Sequence, residues 1–235
     1  MYNDSMIFTD SGIILLRQDF READRVVSVY TREHGRMNAR LPGVSRPLGK
    51  MKALCEPFTC ADYRIYVRRG GVMGTITGGK IHTVFPNIRG DLKRLQLALH
   101  FCELLMRLTP LHQPSPEKFE LLYTALQSLE STGVHSAFAA AFTLRLMTLA
   151  GFGLDHPVLK IPAEFWEKMH RADFSSLHFS EPEDLLSLSK CNSVCKRFLD
   201  HYLTYPLHTL KPVGLDELKE IETETVLTEA LTPAI

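Results

Sequence analysis

Arg25-Val26-Val27-Ser28-Val29-Tyr30-Thr31, followed by Arg32-Glu33-His34-Gly35-Arg36 and then Met37-Asn38-Ala39-Arg40-Leu41, reads as strand, turn and strand. Val27, Val29 and Thr31 recur with a period of two, and Met37, Ala39 and Leu41 continue it on the far side of a His34-Gly35 turn signal. The same chemistry extends in both directions. Phe8 to Leu16 is apolar and β-branched, Phe58 to Val67 carries Tyr63, Ile65 and Tyr66, and Gly74 to Thr83 follows an Arg69-Gly70-Gly71 turn. Five short strands within residues 1–80 suit a small closed barrel. The OB-fold is the common barrel of that size that binds polynucleotides, although an SH3-like barrel gives nearly the same string.

Beyond Ile88 the period becomes that of a helix. Leu92, Leu95, Leu99, Leu105 and Leu108 predict one amphipathic stripe that stops at Pro110. Ser115-Pro116-Glu117 opens a second helix with a hydroxyl cap, a first-turn proline and an acid near the positive dipole end. It runs through Phe119, Leu122, Leu126 and Leu129 to Gly133. A third spans about His135 to Ala150, and its small face, Ala137-Ala140-Ala141, lets another helix approach closely. The stretch from Leu154 to Ser180 reads as irregular, bracketed by Pro157 and Pro162. Ser180 and Glu183 have the spacing of a capping box ahead of Leu185, Leu186 and Leu188, and Val194, Phe198, Leu199 and Tyr202 mark a last helix before Pro206. The expected class is therefore α+β: a barrel domain at 1–80, a helical bundle at 81–153, an irregular lobe at 154–182, and C-terminal helices packing on the bundle with an acidic tail at 183–235.

Charge divides the chain as the periodicity does. The whole sequence holds 27 Lys and Arg against 27 Asp and Glu, but the first 95 residues hold 16 against 9 and the rest 11 against 18. A basic barrel on an acidic remainder points to a polyanion partner for the barrel alone. The positive residues are mostly arginine, whose flat fork suits phosphate oxygens and stacks on bases. Arg17, Arg21, Arg25, Arg32, Arg36, Arg40 and Arg46, with Lys50 and Lys52, are the candidate DNA-binding residues.

Catalytic chemistry is sparse. Gly70-Gly71-Val72-Met73-Gly74 is followed by a strand pattern and reads as a hairpin, not a phosphate loop. No Gly-x-Ser-x-Gly elbow occurs, and the acids do not form the close pairs that hydrolysis or metal-dependent phosphoryl transfer would need. Cys191 and Cys195 stand four apart, whereas structural zinc sites favour a Cys-x-x-Cys knuckle, so buried thiols are the expectation. His34 reads as a solvent-facing turn histidine. Five cysteines without a framework fit reduced thiols, the N-terminus lacks a signal-peptide pattern, and apolar runs are too short for a membrane span, so a cytoplasmic protein is expected.

Gly12-Ile13-Ile14-Leu15, Glu22-Ala23-Asp24-Arg25, Thr31-Arg32-Glu33-His34-Gly35-Arg36 and Glu56-Pro57-Phe58 together resemble the bacterial RecO family of recombination mediators. Asp91 to Leu95 with Glu103-Leu104-Leu105, Phe119 to Leu122, and Phe142 to Leu146 leading into Gly151-Phe152 resemble that family's three long helices. Leu203 to Leu210 is similar to its C-terminal L-x-x-P-L-x-S segment, with Thr209 where Ser is usual. Two departures stand out. Leu154-Asp155-His156-Pro157-Val158 occupies the place of the family's first zinc-binding Cys-x-x-Cys pair, which implies a metal-free lobe at 154–182. Pro42 stands where the family often has Lys.

The resemblance implies an OB-fold followed by helices, no cofactor and no catalysis. It also implies binding of single- and double-stranded DNA, annealing of complementary strands, and, with RecR, exchange of single-strand-binding protein for RecA at the nucleoid. It further implies that the helical domain binds the acidic, Phe-ended tail of single-strand-binding protein. Arg145 is the one Lys or Arg between Lys118 and Lys160, so Arg145 with its helix neighbours Phe142 and Leu149 is the candidate site for that tail. Tyr63, Tyr66 and Phe58 are candidate stacking faces, with burial in the barrel the default for each. Two alternatives stay open: a protein-binding adaptor with secondary nucleic-acid affinity, and an unrelated OB-type RNA-binding protein.

Overall fold

The computed structural model describes residues 5–45, 51–153 and 160–203, together with positions 205, 207 and 209. Five strands come first: β1 (Met6–Phe20), β2 (Asp24–Thr31), β3 (Gly35–Leu41), β4 (Cys60–Val67) and β5 (Gly74–Thr83). They close in the order β1-β2-β3-β5-β4, antiparallel throughout except for the β3–β5 pair. That closure is the OB arrangement and removes the SH3-like alternative.

β1 is longer than its apolar core suggested because it serves two neighbours. Met6 to Ile13 pair with β4, and Gly12 to Phe20 pair with β2. The strand must bend where the two pairings overlap. Gly12 permits this, since a Cβ there would lie 2.9 Å from Val29 Cγ2 and 3.0 Å from Tyr63 Cδ2. A bulge between Ile14 and Leu16 then turns Leu15 outward. Ile14 joins Val27, Val29, Met37, Tyr63 and Ile76 inside the barrel. Ile13 and Leu15 instead join Tyr30 and Phe58 in the core shared with the helices.

Six helices follow among the described residues: α1 (Pro86–Gly90), α2 (Leu92–Leu108), α3 (Pro116–Thr132), α4 (Phe138–Leu149), α5 (Ala163–Arg171) and α6 (Pro182–Tyr202). Ser115 caps α3 as expected, its hydroxyl accepting from the Lys118 amide at 3.4 Å. Other expectations need correction. The deep face of α2 is Leu97, Ala98, Phe101, Cys102, Leu104 and Leu105, while Leu92 is exposed, because α1, α3 and α4 enclose a wider arc than one leucine stripe. Residues 163–171 form α5, which buries Phe165 and Met169. Pro162, read as a breaker, sits at its N-cap position. Ser180 makes no capping box: α6 starts at Pro182 with Glu181 as its N-cap, and runs unbroken for 21 residues. Its Cys195 lies against Ala140 of the small α4 face, Sγ 4.0 Å from the carbonyl.

All five cysteines are buried and outside any disulfide, and burial pushes the thiols of Cys60, Cys102, Cys191 and Cys195 up, Cys60 to about 11 and Cys191 to about 12. Among the described residues no three His, Cys, Asp or Glu side chains gather as a metal site, and no helix is long and apolar enough to cross a membrane. The segment 154–159, on which the metal-free expectation rests, lies outside the described residues.

Candidate nucleic-acid interface

Strand register decides which arginines share a surface. Arg25 pairs with Leu41, Arg40 with Thr75, and Val67 with Gly74, so the β1–β2 turn, the end of β3 and the β4–β5 turn meet at one end of the barrel. The helices dock at the opposite end. There Arg36 Nε donates to the Thr109 carbonyl at 2.9 Å, Tyr30 OH to the Ser115 carbonyl at 3.3 Å, and Gly35 packs on the Gln113 backbone.

The arginines expected from the sequence fall into separate groups. Arg17 and Arg25 both bond to Glu56, and Arg25 also reaches Asp19 at 3.2 Å. Arg40 pairs with Asp24 at 3.0 Å. Arg32 pairs with Glu120 of α3 at 2.6 Å and lies over the Phe119 ring, so it belongs to the barrel–helix junction together with Arg36. Burial lowers the pKa of Arg36. Arg21 is exposed in the β1–β2 turn in a left-handed conformation, φ 56°, its guanidinium over the Phe20 ring. Lys52 is exposed in a short 3-10 turn (Lys52–Cys55), and Arg46 and Lys50 lie outside the described residues.

A second set of cations lies on β4 and just past its end. Arg64, Tyr66 and Arg68 alternate outward, while Tyr63 and Ile65 point into the core. Arg64 and Arg68 are exposed and make no ion pair among the described residues. Register sets Ile7, Tyr66, Thr75 and Arg40 in one row across β1, β4, β5 and β3. Neighbours in such a row stand about 5 Å apart on one face. The row therefore offers a ring, a hydroxyl and a guanidinium, with Arg64 and Arg68 flanking the ring. Those are the components of a single-strand platform, in which cations follow the backbone and an aromatic face takes a base. Of the three aromatics weighed from the sequence, Tyr66 is half-buried and outward. Tyr63 and Phe58 are core residues, Tyr63 OH donating to the Leu54 and Thr59 carbonyls. The period-two spacing Arg64, Tyr66, Arg68 is the sequence signal for this face, outnumbered by the denser arginines before residue 50.

His34 is not a free turn histidine. Its Nδ1 lies 2.7 Å from the Asp10 carboxylate, and its ring stacks on Phe8 at 3.9 Å. The candidate tail site does not assemble as a surface either. Arg145 donates from Nε to the Met169 carbonyl at 2.8 Å and from a terminal nitrogen to the Ala172 carbonyl, and lies 4.3 Å over Phe174. It ties α4 to the end of α5, and burial pulls its pKa down to about 10. Phe142 is 0% exposed and stacked on Phe101, whereas Leu149 is exposed.

Comparison with known proteins agrees with the fold. Residues 6–85 match the family model described as Recombination protein O N terminal, and residues 89–156 match Recombination protein O C terminal, together well over half of the chain. The chain belongs to the RecO family. Among its relatives, the DNA repair protein RecO of Pelotomaculum thermopropionicum is 33% identical over 146 residues, covering 62% of this chain and 56% of that protein. The Pelobacter propionicus protein of the same name is 31% identical over 139 residues, 59% of this chain and 56% of the relative. That of Listeria monocytogenes is 25% identical over 165 residues, 70% and 63% respectively. The match spans little more than half the length of the first of these RecO relatives. The two family models divide the chain next to the end of β5, where barrel gives way to helix.

Proposed function

We propose that this RecO-family chain is a non-enzymatic DNA repair and recombination mediator that acts on cytoplasmic, nucleoid-associated DNA. In this reading it binds single- and double-stranded DNA through the barrel, anneals complementary strands and, with RecR, helps exchange single-strand-binding protein for RecA. The observation that carries the reading is the outward face of β3, β5 and β4, where Arg64 and Arg68, without an ion pair among the described residues, flank Tyr66 in register with Thr75 and Arg40. Family membership supports the repair role, and the names of the relatives support it in the same direction.

The chemistry of the face suits a mediator. Guanidinium groups hold phosphates without cutting them, and one stacking ring per site favours no particular base. Arg21, exposed in the β1–β2 turn at the same end of the barrel, serves as an outlying phosphate contact. The tail of single-strand-binding protein, if it binds here, needs a cation other than Arg145, whose donors already meet α5.

Annealing tests the whole reading. Two complementary labelled strands should pair faster in the presence of the chain, and Arg64→Ala/Arg68→Ala should remove most of that acceleration while keeping a normal thermal melt. No acceleration by the parent, at concentrations where it binds either strand, contradicts the mediator reading. Tighter binding to RNA than to DNA of the same sequence favours the RNA-binding alternative instead.

A further inference from the structure

Where β3, the α2–α3 connection and the end of α6 meet, the surface opens into a recess of about 450 Å³. Arg36, Arg107 and Lys118 line it, and no carboxylate does. Like charges gathered around one concavity repel each other and focus a positive potential into it, so the arrangement favours an anion.

Arg36 already gives its Nε–H to the Thr109 carbonyl, but the other donors are poorly satisfied by the protein itself. Lys118 is 8% exposed, and its ammonium group has no ion pair or hydrogen bond among the described residues. The adjacent Glu117 carboxylate already accepts from the Ser115 hydroxyl at 2.9 Å. Thr109 is 2% exposed, and its Oγ1 is buried without a hydrogen-bond partner among the described residues. Arg107 has one carboxylate near it, Glu103 at 3.7 Å, beyond hydrogen-bond length. Buried polar groups are nearly always paired, so the orphaned Thr109 hydroxyl in a recess also lined by Lys118 marks a place where something else binds. Phe152 and Tyr202, with ring centroids 4.9 Å apart, add an aromatic wall to the same recess.

We propose that this recess binds a phosphomonoester group, carried by the end of a nucleic-acid strand or by a free mononucleotide. Three cations and a hydroxyl offer more donors than one carboxylate can use. A phosphomonoester carries close to two charges near neutral pH and accepts on three oxygens. The aromatic wall then meets the sugar or base. For a strand end, the inference rests on the DNA reading above; for a mononucleotide it does not.

The test compares thymidine monophosphate with thymidine by calorimetry, and 5′-phosphorylated with 5′-hydroxyl oligothymidine by fluorescence anisotropy. The full chain, Lys118→Met and Arg107→Gln are each measured. Arg107 is exposed, so the second variant keeps the test open should the first fold poorly. The parent should prefer the phosphorylated ligand at least tenfold, and both variants should bring the two ligands close to parity. A preference for the mononucleotide alone assigns the site to free nucleotides, and a preference in both arms assigns it to strand ends as well. Equal binding of phosphorylated and unphosphorylated ligands by the parent overturns the proposal, as does a preference that survives in both folded variants. An acidic peptide that displaces thymidine monophosphate and binds more tightly overturns it in favour of a carboxylate site. Loss of all oligonucleotide binding, with the mononucleotide preference intact, overturns the DNA reading and leaves the phosphate site standing.

Discussion

Arg145 shows how a charge that looks available in sequence can be committed by the fold. It is isolated among neutral residues, yet its guanidinium closes the end of α5 by donating to the Met169 and Ala172 carbonyls. The last carbonyls of a helix lack partners within it, and a cation there also meets the negative end of the dipole. Arg145→Ala should therefore cost stability, about 2–4 kcal/mol by urea unfolding, with DNA affinity unchanged. Lysine should rescue only in part, since it cannot bond both carbonyls with one planar fork. A variant as stable as the parent contradicts this role.

His100 is the second residue with a measurable consequence. It is buried in α2, and desolvation pulls its pKa from 6.5 to about 4, with Glu103 opposing the shift. Its Nδ1 meets Thr209 Oγ1 at 3.1 Å, and Thr209 donates in turn to Glu103 at 2.7 Å. The unfolded chain takes up this proton near pH 6.5 and the folded chain only near pH 4. The histidine's contribution is thus complete above about 6.5 and is lost as pH falls toward 4, by on the order of 3 kcal/mol. Thermal melts across that window should fall less steeply for His100→Gln than for the parent. Parallel pH profiles would show that His100 does not titrate against folding.

At the scale of elements, the barrel was the more legible half. Period-two alternation and glycine turns located all five strands because each strand has one face in a closed core. The lengths of the ends were less legible. The extra residues of β1, Met6, Ile7 and Arg17 to Phe20, are exposed or half-buried and are held by pairing with two neighbours, which alternation does not report. In the helical half, α5 was missed because its nine residues bury just Phe165 and Met169, too few positions for a period to appear. The Ser180 capping box failed for a related reason. Pro182 and two first-turn acids start α6 without a side-chain cap, and the spacing of Ser180 and Glu183 was coincidental.

Gly35 joins the two halves. Its φ is +70°, and a Cβ there would stand 2.2 Å from the Gln113 carbonyl oxygen, a backbone atom that cannot swing aside. Gly35→Ala should destabilise by roughly 2–4 kcal/mol, combining a left-handed alanine with a clash at the junction. Gly12→Ala meets the side chains Val29 and Tyr63 instead, and should cost about 1–3 kcal/mol as an overpacked core. Denaturant midpoints for the two variants check both values. An unchanged midpoint for Gly35→Ala would show that the α2–α3 connection is free to move.

For the whole molecule, the sequence reports where positive charge is concentrated better than which side chains remain available to use it. The split between a basic first part and an acidic remainder is a property of composition and needs no fold. Which arginines remain available is a property of the fold. Glu56, Asp24 and Glu120 hold Arg17, Arg25, Arg40 and Arg32, and those pairings join residues up to 88 positions apart, beyond the reach of any local pattern. Paired arginines still contribute to the field of the barrel, but each must break an ion pair to meet a phosphate. Arg64 and Arg68 need not.

That difference is open to one direct measurement: the salt dependence of single-stranded DNA affinity for the parent, for Arg64→Ala/Arg68→Ala, and for Arg17→Ala/Arg32→Ala as a charge-matched control. Each phosphate contact contributes roughly 0.7 to the slope of log affinity against log salt. The account predicts that the first variant loses about 1.4 from that slope and that the control loses much less, with both proteins folded. A slope unchanged in Arg64→Ala/Arg68→Ala, or a greater loss in the control, would contradict it and place the DNA on the β1–β2 side of the barrel.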